Sequence, residues 1–157
     1  MYRLDRVTRI PASLEEVFAF FSDAGNLSRI TPPWLQFRVY GSAPEKMEAG
    51  ARIEYRIRWL IFPLRWVTRI TEWSPLSRFQ DVQERGPYET WIHTHSFSAE
   101  SAGAGVLMRD QVDYRLPFGV FGRIAHRLAV RRQLEQIFEF RRRATERIFG
   151  AAAAGPE

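Results

Sequence analysis

Strict alternation of apolar and polar positions governs most of this chain, and it sorts the residues into strands. Between Arg52 and Trp59 the apolar set is Ile53, Tyr55, Ile57 and Trp59, opposed by Arg52, Glu54, Arg56 and Arg58. The same period of two runs through Tyr2 to Ile10, Gln36 to Tyr40 and Leu64 to Trp73, where Leu64, Trp66, Thr68 and Ile70 share a face. It returns in Phe79 to Glu84, Tyr88 to Phe97 and Val106 to Leu116. Pro63, Ser74-Pro75-Leu76-Ser77, Arg85-Gly86-Pro87 and Gly103-Ala104-Gly105 punctuate these runs. Six consecutive strands with short links, after a first one, imply an antiparallel meander.

Helical signals occupy two places. Pro11 stops the first strand, and Ser13 with Glu16 three residues on is a capping box that opens a short helix through Val17, Phe20 and Phe21. A second helical turn is expected around Asn26 to Ile30, before Thr31-Pro32-Pro33-Trp34 forces extended backbone. From Val120 to about Phe149 the period becomes helical, with Phe121, Ile124, Ala125 and Leu128, then Leu134, Ile137, Phe138, Ala144 and Ile148, as the apolar stripe of one long helix. The stripe breaks at Arg131, Arg132 and Gln133, read as a solvated turn, with a cavity mouth as the alternative. His126, between Ala125 and Arg127, reads as surface.

A chain of 157 residues fits a single domain, residues 1–150, with a frayed tail at 151–157. It has no cysteine, which excludes disulfides and thiolate metal sites. The charged start, Met1-Tyr2-Arg3-Leu4-Asp5-Arg6, lacks a signal peptide's apolar stretch, and no apolar run approaches the ~20 residues that span a bilayer. A cytoplasmic location and no integral membrane association are expected. The net charge of +5 comes almost wholly from arginine, Lys46 being the sole lysine. Arg52, Arg56, Arg58, Arg65, Arg69 and Arg141 to Arg143 read as dispersed outer surface, and no nucleic-acid motif accompanies them.

Against this pattern, one face is unusual. Alternation puts Trp91, His93, His95 and Phe97 on one side of their strand, Asp110 among the apolar set Val106, Met108, Val112 and Tyr114, and Asp81 and Gln83 beside Phe79. A carboxylate there needs a hydrogen-bonding partner or a counter-charge. Asp81, Gln83, His93, His95 and Asp110 are therefore candidate ligand-binding residues on one concave face, with Tyr55, Trp59, Trp66, Phe79, Trp91, Met108 and Tyr114 as candidate lining. His93, His95, Asp110 and Asp81 are also candidates for acid-base catalysis, a histidine oriented by a carboxylate being able to move a proton next to a carbonyl. A structural Asp-His network is the competing account of the same residues. Two histidines at i and i+2 can chelate an ion, with Asp81 or Asp110 as a third ligand, but the threonine-rich setting offers no evident orienting second shell, so no metal or other cofactor is expected.

Several local motifs carry a resemblance: Ile10-Pro11-Ala12-Ser13-Leu14-Glu15-Glu16-Val17-Phe18, Phe79-Gln80-Asp81, Gly86-Pro87-Tyr88 followed by the histidine strand, and Asp110 to Gly119. With the element order, they make residues 2–149 similar to the START-like helix-grip fold, the SRPBCC or birch-pollen-allergen-like superfamily, and to its bacterial polyketide cyclase/dehydrase-like ligand-binding branch. The resemblance implies an α+β architecture: a curved antiparallel sheet of about seven strands, two short helices after the first strand, and a long C-terminal helix across the sheet. It further implies a cavity between sheet and helix for an amphipathic or hydrophobic small molecule. Two alternatives are a polyketide cyclase/dehydrase-like enzyme and a co-chaperone-like protein-interaction module. Whether any reaction is catalysed, and the oligomeric state, stay open at the level of sequence.

Overall fold

Strand β1 (Tyr2–Ile10) ends where Pro11 removes a backbone donor. Ser13 then caps helix α1 (Leu14–Phe21): its hydroxyl accepts from the Glu16 N–H at 3.2 Å, and the Glu16 carboxylate accepts from the Ser13 N–H at 3.0 Å. This is the expected capping box, and deleting the Ser13 hydroxyl would cost about 1 kcal/mol. Two 3₁₀ turns follow, at Ala24–Arg29 and Pro33–Leu35. The second corrects the extended run expected at Thr31 to Trp34. Pro32 is extended, at φ −58° and ψ 141°, but Pro33 takes the first helical position, where a missing N–H leaves no bond unmade.

The computed structural model describes residues 1–41, 44, 46–100 and 105–151. Gly103 and Ala104 of the expected turn and the tail from residue 152 lie outside the described residues. Strands β2 (Arg38–Val39), β3 (Arg52–Trp59), β4 (Phe62–Ser74), β5 (Arg78–Arg85), β6 (Thr90–Ala99) and β7 (Val106–Arg115) follow in turn. The sheet order is β1-β7-β6-β5-β4-β3-β2, so β2 to β7 form the meander and β1 closes on β7. Pro63 does not break the fourth strand as expected. It faces Arg58 beside the β3–β4 turn, beyond Val67, where pairing with β5 stops, so Pro63 sits at an edge that tolerates proline.

The C-terminal helix is built from α2 (Gly119–Ala125), a π-helical turn at His126–Val130 and α3 (Arg131–Phe149). Its first half turns the opposite way from expectation. Phe121 and Leu128 are each 78% exposed and Ile124 50%, while Gly122, His126 and Val130 face inward. A Cβ at Gly122 would collide with the Pro117 carbonyl, so this helix packs closer than any other residue there allows. His126 is buried, not surface: its Nε2 lies 2.9 Å from the Tyr114 hydroxyl, and its ring stacks on Tyr2 at 3.6 Å between centroids. At the break in the stripe, Arg131 and Arg132 are exposed, but Gln133 is buried. Among the described residues no helix is long and apolar enough to cross a membrane.

Two apolar clusters fill the space between sheet and helix. One gathers Phe18, Phe20 and Phe21 of α1 against Phe79, Phe97 and Met108. The other gathers Trp66, Tyr88 and Tyr114 against Val130, Leu134 and Phe138 of the long helix. Along β6 the order is Trp91, His93, His95, Phe97, so the two histidines stand at the seam between the clusters.

Candidate functional site

Register brings the polar residues of three strands together. Asp81 of β5 is paired directly with His93 of β6, and His95 of β6 with Asp110 of β7. Because side chains two apart on a strand share a face, both histidines lie between the two carboxylates. The His93 Nε2 lies 3.1 Å from Asp110 Oδ1 in hydrogen-bonding geometry. His95 Nδ1 is 2.7 Å from the same oxygen but off the line of a full hydrogen bond. The opposite ring nitrogens point the other way: His93 Nδ1 is 3.7 Å and His95 Nε2 3.8 Å from Asp81 Oδ2.

Burial sets the charges. Desolvation alone would raise the Asp110 carboxyl, but the adjoining His95, the contacts from both imidazoles and the Arg141 guanidinium hold it well below the usual carboxylate range. Asp81 has weaker compensation, and burial pushes it up to about 6. Burial, reinforced by His95, lowers His93 to about 3, so its ring is neutral at physiological pH. Neutral, and facing an ionised acceptor, His93 carries its proton on Nε2 and leaves Nδ1 as a lone pair aimed at Asp81.

A cavity opens beside this cluster. It leaves about 150 Å³ for the centres of water molecules, where a single water needs roughly 10–15 Å³. Of the candidate lining, Tyr55, Trp59, Trp66, Phe79 and Trp91 border it, as do Asp81, His93 and His95. Gln83, Met108, Asp110 and Tyr114 do not. Gln83 donates its amide to the Tyr88 carbonyl at 2.7 Å and accepts from the Tyr88 N–H at 3.3 Å, clamping the β5–β6 link. Met108 packs under α1, Tyr114 holds His126, and Asp110 lies behind the histidines.

Among the wall residues that sequence pattern missed, Tyr88 and Arg141 carry polar groups that bear on the site. Tyr88 lies just ahead of β6, and its hydroxyl accepts from Trp59 Nε1 at 3.3 Å. Arg141, expected on the outer surface with Arg142 and Arg143, instead turns inward, its side chain only 14% exposed. Its Cζ lies 5.2 Å from the Phe138 ring centre, Nη1 is 3.9 Å from Asp110, and neither Nε nor Nη1 has a hydrogen-bond partner. The Trp66 indole N–H is likewise buried without a partner. The signal for Arg141 was available: it lies three residues past Phe138 and three before Ala144, on the buried side of α3.

Comparison with known proteins agrees with this architecture. A family model for polyketide cyclase / dehydrase and lipid transport matches residues 10–138. Protein CV1439 from Chromobacterium violaceum is similar in structure at a TM-score of 0.70 and 12% identity, over 96% of this chain and 99% of that one. TTHA0849 from Thermus thermophilus gives a TM-score of 0.65 and 19% identity, over 94% and 99%. Ara h 8.0201 gives 0.61 and 11%, over 92% and 97%. At these identities the likeness is one of fold, the helix-grip arrangement of sheet and C-terminal helix. No curated protein matches the chain.

Proposed function

This chain belongs to the polyketide cyclase/dehydrase and lipid transport family, and from that membership we propose that its cavity binds an amphipathic small molecule bearing an oxygen acceptor, a carboxylate or a carbonyl. The Nε and Nη1 groups of Arg141, buried without a hydrogen-bond acceptor, carry this reading. A buried N–H without an acceptor costs about 1–3 kcal/mol, more when charged, and a ligand oxygen at Arg141 recovers it. The Trp66 indole N–H is a second such donor. Tyr55, Trp59, Trp66 and Trp91 give the rest of the molecule an aromatic, largely apolar wall, the usual composition of a small-molecule site. Native mass spectrometry of freshly purified protein tests the reading: a co-purified organic anion or carbonyl compound supports it. Consistently ligand-free protein that also fails to bind an anionic aromatic probe, 1-anilinonaphthalene-8-sulfonate, removes it.

One observation favours a catalytic second reading in the cyclase/dehydrase manner. Asp81, at about 6, titrates where a general acid or base is effective, and it faces the cavity beside a neutral imidazole. Proton transfer to or from carbon next to a ligand carbonyl would then be shared by Asp81 and His93, with Asp110 as positioning residue. Turnover of a bound poly-β-carbonyl compound that survives Asp81→Asn and His93→Gln unchanged would eliminate this reading.

A further inference from the structure

The geometry points to a mononuclear site for a divalent first-row transition ion on Asp81, His93 and His95. One donor atom from each of the three lies within 4.8 Å of the others. The separations of 3.7 and 3.8 Å from Asp81 Oδ2 to the two imidazoles compare with about 3.4 Å between ligands on a tetrahedral ion with bonds of ~2.1 Å. A contraction of a few tenths of an ångström brings Asp81 to each ring, and the two imidazole donors lie within 4.8 Å of each other.

The orienting shell that the sequence did not reveal is Asp110. One carboxylate oxygen faces a nitrogen of each ring, at 3.1 Å from His93 Nε2 and 2.7 Å from His95 Nδ1. Protonated on that side, both rings present lone pairs to Asp81. This is the carboxylate–histidine–metal relation that fixes tautomer and ring direction in metal sites, here with one acid serving two ligands. Seen from the other end, three acceptors converge, and among the described residues no side chain donates a hydrogen bond to Asp81. Such a cluster is costly in a buried place without a cation.

Two nitrogens and one oxygen on one side of an ion suit zinc or iron(II) and leave coordination positions open. All three ligands border the cavity, so the open positions face a bound molecule and Arg141. The inference is separate from the organic-ligand reading, since an ion can be titrated into ligand-free protein and Arg141 is not one of its ligands.

The test uses the full chain, treated with chelator and titrated with Zn²⁺ and, for spectroscopy, Co²⁺. One equivalent of Zn²⁺ per chain is expected by dialysis and elemental analysis. His93→Gln and His95→Gln each abolish tight uptake, Asp110→Asn weakens it about 10- to 100-fold, and Arg141→Met leaves it intact. Because buried variants can unfold, a wild-type measurement stands beside them. The chain has three histidines, and one equivalent of Co²⁺ shifts the ring-proton resonances of His93 and His95 strongly and those of His126 weakly or not at all. Failure of the wild type to take up either ion overturns the inference. So does stoichiometric binding that persists in folded His93→Gln and His95→Gln, or that perturbs His126 first.

Discussion

His93 and Asp110 form a hydrogen bond at 3.1 Å inside the sheet, in a place where neither reaches solvent. Replacing Asp110 by Ala leaves the His93 Nε2–H without an acceptor and removes the carboxylate oxygen beside His95 Nδ1. An unmade buried bond costs about 1–3 kcal/mol. Asp110→Ala is therefore expected to lose about 3 kcal/mol in urea unfolding at unchanged m-value, while Asp110→Asn, which keeps an acceptor oxygen, loses less.

His93 and the neighbouring Asp81 titrate in opposite senses. His93 is lowered to about 3 from an ordinary 6.5, so the unfolded chain binds the extra proton between those values and stability falls as pH drops through that window. Asp81 is raised to about 6 from 3.8, so the folded chain binds the proton, and stability from this group is present below about 4 and lost as pH rises through 6. Between pH 4 and 6 the two slopes oppose each other. Chelator-treated wild type should show a nearly flat stability profile there, whereas Asp81→Asn should rise with pH by up to about 1.4 kcal/mol per unit. Equal profiles for the two proteins in urea titrations would contradict this assignment of protons.

Arg141→Met keeps the length and apolar stem of the side chain and removes its charge. If the guanidinium meets the anionic end of a ligand, the dissociation constant for 1-anilinonaphthalene-8-sulfonate should rise about 10-fold or more, from a charged hydrogen bond of about 1.5–3 kcal/mol. Fluorescence titration reads this directly, and Arg143→Met, on the exposed side of α3, should leave it unchanged.

Gln83 and Gly86 act as one unit. A Cβ at Gly86 would collide with the Gln83 amide oxygen that accepts from Tyr88. Gly86→Ala and Gln83→Ala should each cost about 1–2 kcal/mol, and the double variant clearly less than the sum, because both break the same clamp. Additive losses in a double-mutant cycle would show that the two are independent.

The inward face of α2 and the π-helical turn can be tested by the same route. His126→Ala removes the Tyr114 contact and the Tyr2 stack and is expected to cost about 2 kcal/mol. Phe121→Ser and Leu128→Ser, on the exposed side, should stay within about 0.5 kcal/mol in the same denaturation assay.

Strand faces were legible because period-two alternation leaves no freedom once one face is buried. That is why Asp81, His93, His95 and Asp110 could be placed on one side from the residues alone, and why the meander followed. Alternation says nothing about which strands lie opposite at which residue, so the sharing of Asp110 by two rings was not visible. On the helix, apolar content misled: Phe121, Ile124 and Leu128 look like a core stripe, yet the inward line is drawn by a glycine, a histidine and a valine. Arg141 was misread for the converse reason, since charge suggests solvent even where the helical position points inward.

That inward line has a spacing with a consequence of its own. Gly122, His126, Val130, Leu134 and Phe138 recur every four residues, whereas an α-helix completes a turn in 3.6. Each step of four overshoots by about 40°, and four steps would carry the line most of the way to the opposite side. The wider turn at His126–Val130 uses up residues without adding rotation, and so keeps the line aimed at the sheet. The turn is a phase correction. Deleting a single residue within it would turn α2 against α3 by about a quarter of a revolution, swinging Gly122 off the Pro117 carbonyl, while the cavity roof at Leu134, Phe138 and Arg141 stayed in register with the strands below.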